Sequence, residues 1–124
     1  MNRDFIPYTE ALALKELGFD EPCFGLYAPP SKTVFLHHYG LLRAKEQVLA
    51  PLYQQAFRWF REKHNLNAEI QAPDGSNGKW NPTIHKIKGF GNHYDNDAFE
   101  TYEEAELACL RKLIEIVNQN KEDE

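Results

Sequence analysis

The sequence predicts an α+β fold, one domain in which an antiparallel sheet of two hairpins packs against helices in the order α-β-β-α-β-β-α. Three observations predict it. Two pairs of β-branched and aromatic runs are each split by strong turn residues. Three apolar-periodic stretches carry helix start or stop signals. The length of 124 residues suits one domain, burying roughly 65% of the unfolded surface. Hairpins alternating with helices favour an antiparallel sheet covered on one face. The domain is expected to span 1–118, with 119–124 a polar, fraying tail.

The first helix reads "PYTEALALKELGFD". Pro7 suits the first turn, where a missing N–H costs nothing. Gly18 suits a left-handed position after the last turn, and lets Phe19 fold back onto the helix. "CFGLYA" then reads as a strand, "PPSK" interrupts it, and "TVFLHHY" returns as its hairpin partner.

The second helix starts near Pro51 and runs to about His64, with Asn65 as its left-handed end. "NAEIQA" is a short strand, "PDGSNG" a turn with both Asp-Gly and Asn-Gly, and "KWNPTIHKI" the return strand. Pro82 pushes that strand toward a sheet edge or a bulge. "KGFGNHYDND" reads as a loop. In the last helix "TYEE" is a capping box, in which Thr101 accepts from the backbone three residues on and Glu104 reaches back. That helix is expected to end near Val117.

"QQAFRWFREKHN", residues 54–65, concentrates aromatics and arginines and so raises the question of a nucleic-acid surface. On a helical wheel Leu49, Leu52, Tyr53, Ala56, Phe57, Trp59 and Phe60 share one broad arc, with Phe57 and Trp59 at its edges. Gln54, Gln55, Arg58, Arg61 and Glu62 fall opposite. A base-stacking platform needs rings and cations together, so the stretch reads as an amphipathic core helix. Trp59 beside Arg58, and Trp80 beside Lys79, remain candidate exposed anchors, because indole rings are favoured at interfaces. In the last helix Tyr102, Ala105, Leu107, Cys109, Leu110, Leu113, Ile114, Ile116 and Val117 cover more than one buried face requires. Central burial explains this, and a homodimer through the helix is the sharper alternative.

Net charge is −5, unevenly spread. Residues 1–30 carry a balance of −3, 31–92 of +5 and 93–124 of −7. The whole molecule should repel nucleic acid and anionic membrane, yet its middle is basic. Cys23 and Cys109 lie far apart in unlike contexts and read as buried free thiols in a reducing compartment. The N-terminus lacks a signal-peptide core and no apolar run is of membrane-spanning length, so a soluble cytoplasmic protein is expected.

Motifs for chemistry are weak. His37 and His38 are adjacent on a strand and project to opposite faces. No HxH, HExxH or Cys/His cluster occurs, so no metal is expected. His93, Asp95 and Asp97 alternate in "NHYDND", but lack the glycine and distal glutamate of a calcium loop. "GSNGK" is too short for a phosphate loop and precedes a strand. No catalytic residue and no cofactor is expected.

Three stretches, "EALALKELGFDEPCFG", "LAPLYQQAFRWFREKHNL" and "FETYEEAELACLRKLIEIV", together resemble a family of small uncharacterised proteins of gut anaerobic bacteria and their prophage-like elements. The segments 29–40 and 71–98 are the variable part of that resemblance. It brings no activity and no catalytic residues, and it implies a setting inside a bacterial cell.

The leading expectation is a non-enzymatic domain that binds a protein partner, with Trp59, Trp80, Arg58, Lys79, Lys86 and Lys88 as candidate contact residues. The second is nucleic-acid binding through the basic middle, using Lys32, Arg43, Lys45, Lys79, Lys86 and Lys88 on one face. The third is a small enzyme in which His38, His85 and Cys23 share a cleft.

Overall fold

The computed structural model describes residues 4–36, 47–73, 78–89, 92–94 and 97–122. The fold is α+β, with the expected order of helices and hairpins and one further strand beside each hairpin. The elements are α1 (Tyr8–Glu16), β1 (Gly25–Tyr27), β2 (Phe35–Leu36), β3 (Val48–Ala50), α2 (Tyr53–His64), β4 (Leu66–Gln71), β5 (Asn81–Lys86), β6 (Asn92–Tyr94) and α3 (Tyr102–Glu122). The two hairpins belong to separate antiparallel sheets, ordered β2-β1-β3 and β4-β5-β6. Backbone contacts group the chain into two compact units, Met1–Ala56 and Phe57–Glu124, the division falling inside α2.

In the first unit α1 ends as its sequence requires. Gly18 sits at φ +103°, its N–H bonds the Lys15 carbonyl, and the Phe19 N–H reaches back to Leu14. Those two bonds form a Schellman cap, and Phe19 and Leu14 are both buried beneath it. The turn after β1 closes with Ser31 N–H on the Ala28 carbonyl and contains a cis Pro29–Pro30 peptide. β1 lies centrally, pairing Gly25 with Leu36 and Ala50 and Leu26 with Phe35 and Leu49. Gly25 is required by crowding: a Cβ there would stand 2.7 Å from the Phe5 ring and 3.1 Å from the Ala50 carbonyl.

β3 corrects the sequence reading. Leu49 lies in a strand and Leu52 precedes the helix, so neither joins the α2 stripe. Pairing with β1 supplies Val48–Ala50 with ladder partners, and Pro51 follows at the strand's end. Beyond Pro51, Ile6 N–H bonds the Pro51 carbonyl and Phe5 bridges Leu52, which closes this edge of the sheet.

In α2 the expected segregation holds. Tyr53, Ala56, Trp59 and Phe60 are buried, while Gln54, Arg58, Arg61 and Glu62 are exposed. Asn65 ends the helix at φ +60°. Its side chain then clamps the far strand end: Nδ2 donates to the Lys88 carbonyl, Oδ1 accepts from Lys88 N–H, and its own carbonyl accepts from Ile87.

β4 and β5 pair over their full six residues, from Leu66↔Lys86 to Gln71↔Asn81. The Asp-Gly and Asn-Gly dipeptides between them fall mainly in 74–77, outside the described residues. Leu66, Pro82 and Ile84 are buried on one face, over which α3 packs against both strands. β5 is central rather than an edge, and of the two outcomes expected for the strand that carries Pro82 it shows the other, a bulge. Pro82 is accommodated because its peptide faces away from β4, as does that of Trp80, which bonds Phe99 in both directions. Pro82 falls between this bridge and β6, whose pairing is broken by a bulge at Ile84/His85. β6 itself lies within the segment read as loop.

The capping box of α3 forms as expected, with Glu104 N–H on Thr101 Oγ1 at 3.1 Å and Thr101 N–H on Glu104 Oε1 at 3.2 Å. Ala105, Cys109, Leu110, Leu113, Ile114, Ile116 and Val117 are buried, an arc of about 180° at 100° per residue. The helix runs on to Glu122, past the expected end near Val117. Glu115 braces this extension by accepting from Lys112 and Gln119, and Lys121 suits the negative end of the helix dipole. Among the described residues no helix is long and apolar enough to cross a membrane.

Candidate protein-interaction surface

The first sheet exposes apolar side chains where a closed core would hide them. β1 is buried throughout and β3 is covered by α1 and the chain at Phe5–Ile6. β2 is the outer strand. Consecutive strand side chains point to opposite faces, yet Phe35 is 50% and Leu36 59% exposed. Phe24, directly before β1, is 67% exposed. Of the six exposed large apolar side chains among the described residues, these three and Leu52 belong to the first unit. By the register Phe35 shares a face with Leu26 and Leu36 with Gly25, so the outer strand exposes apolar groups on both faces. Exposed apolar groups gathered on one element mark contact surfaces.

The residues around this surface are held by specific contacts. Tyr27 donates its hydroxyl to the Ile6 carbonyl at 2.7 Å and meets Tyr8 edge-on at 5.4 Å. Burial, then the Glu10 charge, pushes the Tyr27 pKa up, so the phenol stays a proton donor. Gln55 Nε2 bonds the Pro22 carbonyl, and the buried Cys23 thiol donates to the Glu21 carbonyl at 3.3 Å.

The residues singled out from sequence are placed differently. Trp59 is not an exposed anchor: it is 4% exposed, edge-on to Phe60 at 5.1 Å and to His64 at 4.8 Å. The arc edge that the wheel assigned to it lies inside the packed face. Trp80 is half-buried, bridged to Phe99 and edge-on to Tyr102 at 5.2 Å. Arg58 is exposed 3.9 Å from Glu62, and Lys79 lies 3.4 Å from Glu100. Lys86 and Lys88 are exposed at the other end of β5 from Lys79, roughly 23 Å away for seven extended residues. The structure therefore does not bring Lys79 together with Lys86 and Lys88. Lys32 is exposed in the first unit, and Arg43 and Lys45 lie outside the described residues.

Groups considered for chemistry have structural partners. His85 is half-buried across from Asn67, with Nδ2 and Nε2 3.5 Å apart. Cys23 belongs to the first unit and His85 to the second, while His37 and His38 lie outside the described residues. The Cys109 thiol is pushed up to about 12 by burial and then by Glu106, which leaves it a protonated core group. Of the "NHYDND" residues, Asp97 accepts the Tyr94 hydroxyl at 2.6 Å, and its backbone carbonyl accepts from Asn81. Burial and this bond push the Tyr94 pKa up. Asp95 and the His93 side chain lie outside the described residues. Among the described residues no three His, Cys, Asp or Glu side chains are grouped to hold a metal ion.

Phe24, Phe35 and Leu36 were not singled out from sequence. Phe24 lies in the strand-like run "CFGLYA", and the signal for Phe35 and Leu36 is "VFL", an apolar run without alternation, which reads equally well as a strand buried on both faces. Compared with protein-family models, curated proteins and solved structures, the chain matches none.

Proposed function

We propose that this chain is a non-enzymatic, cytoplasmic interaction domain that binds another protein through the apolar surface of its first sheet. The observation that carries the reading is the exposure of Phe24, Phe35 and Leu36 around an outer strand. Covering one such side chain contributes roughly 1.5–3 kcal/mol before the costs of association. The net charge of −5 disfavours anionic membrane and nucleic acid as the surface that covers them. The nucleic-acid alternative draws on the basic middle, but Arg58 and Lys79 face carboxylates and Lys79 is remote from Lys86.

The test is site-specific photo-crosslinking in cells that carry the gene natively. A benzophenone amino acid replaces Phe35, and in a control replaces Glu115 on exposed α3 surface. A discrete protein adduct from position 35, absent from position 115 and lost with Leu36→Asp, is expected. An adduct to nucleic acid, or none above the control, would overturn the reading.

A further inference from the structure

The second sheet has two edges, and they are built differently. On the β6 side, the bulge at Ile84/His85 and the missing N–H of Pro82 interrupt the ladder. The edge strand there, β6, is three residues long, and short strands, bulges and prolines are devices by which proteins prevent a sheet edge from recruiting another strand. β4 is the opposite edge, and it carries none of them: "LNAEIQ" is six regular residues with no proline and no lysine. Its start is held in register by the Asn65 clamp on Lys88.

The direction of its peptide groups follows from the ladder. Ile87 N–H bonds the Asn65 carbonyl, so odd residues of β5 face β4 and are met by Asn67, Glu69 and Gln71. The peptide groups of Leu66, Ala68 and Ile70 therefore point out of the sheet edge. The side chains of Ala68 and Ile70 lie on the α3 face and are only half-buried.

We infer that β4 pairs antiparallel with β4 of a second copy of this chain, centred on Ala68, joining two three-stranded sheets into one of six strands. The strand is self-complementary about Ala68, which selects a second copy as the partner and sets the register. Centring on Ala68 pairs Leu66 with Ile70 on the apolar face and Asn67 with Glu69 on the polar face, in both directions by symmetry. It also matches all three outward peptide groups with their symmetry mates. Moving the centre to Glu69 would still match outward peptide groups, Ala68 with Ile70, but would set two carboxylates directly opposite each other. A centre between two residues would face outward groups against inward ones. The partner's half-buried Ala68 then covers its equivalent, and each Ile70 lies against the Leu66 of the other copy. This contact is independent of the Phe35 surface.

Sedimentation velocity over a concentration series reads the assembly. The wild-type chain is expected to show a dimer. Ala68→Pro removes the central outward donor while leaving every bond to β5, and should sediment as a monomer with native circular dichroism. Ala68→Cys should form an intermolecular disulfide on mild oxidation, because facing residues of a bonded pair stand about 5.5 Å apart at Cα. Asn67→Cys should not, since its symmetry mate is displaced by two residues. If Ala68→Pro fails to fold, the cysteine pair decides. A monomeric wild type, a folded Ala68→Pro that remains dimeric, or cross-linking at 67 in preference to 68 would each overturn the inference.

Discussion

The two sheets have three antiparallel strands each, yet they are stabilised in different ways. The first has strands of two and three residues and is held by close individual contacts: Gly25 under the Phe5 ring, the Tyr27 hydroxyl on Ile6, and Phe5 bridging Leu52. The second has two six-residue strands whose apolar residues share one face beneath α3. A small sheet with few ladder bonds depends on where single atoms sit. A longer one depends on the volume that fills its covered face. Removing atoms should therefore damage the second sheet most, and adding them should damage the first.

Ile84→Ala tests the second half of that contrast. Ile84 is fully buried at the centre of β5, and its loss should destabilise by about 2–5 kcal/mol, through lost burial and the cavity left behind. Gly25→Ala tests the first half. The added methyl meets the Phe5 ring and the Ala50 backbone, and a cost of about 1–3 kcal/mol is expected in urea denaturation. A neutral Gly25→Ala would show that the Phe5 ring can move aside, and would break the comparison.

Local signals in the sequence were the readable ones. The Thr101–Glu104 box, the Gly18–Phe19 cap and the left-handed Asn65 each involve partners a few residues apart, or one backbone angle. The α+β class and the order of elements followed from such signals. β3 and β6 did not, because three-residue strands show almost no periodicity and exist through pairing with β1 and β5. The same reason hid the exposed surface. Whether Phe35 and Leu36 are covered depends on which strand is outermost, and that is a property of topology. Trp59 was misjudged at the arc's edge because a helical wheel does not show how far the packed face extends.

The Asn65 clamp sharpens the comparison, since it joins the helix end to the second sheet. Asn65→Ala loses both side-chain bonds and must hold φ +60° without glycine's freedom, a cost of about 1–3 kcal/mol. Asn65→Gly loses the bonds but relieves the strain, so it should be less damaging than Asn65→Ala. Equal losses would assign the whole effect to the hydrogen bonds. Thr101→Ala, which removes the cap acceptor of α3, should cost about 1 kcal/mol.

The smallest effect expected is a titration. His64 packs against Trp59 and Phe60, and burial, then the Lys121 charge, holds its pKa below the ordinary 6.5. Above pH 6.5 the ring is neutral in folded and unfolded chains alike, and the group contributes no pH dependence. As pH falls below 6.5 the unfolded chain takes up the proton first, so stability declines until the folded pKa is passed. His64→Phe should remove that decline, and the difference between the two stability profiles isolates it from the other histidines. Trp59 reports the same event, because a protonated imidazole 4.8 Å away quenches an indole. In a Trp80→Phe background the fluorescence step should lie below pH 6.5, and Lys121→Gln should move it upward by relieving the repulsion. A midpoint at or above 6.5 would mean that His64 is solvated. The second sheet would then lack a packed boundary where α2 enters it, and its distinction from the first sheet would narrow to strand length alone.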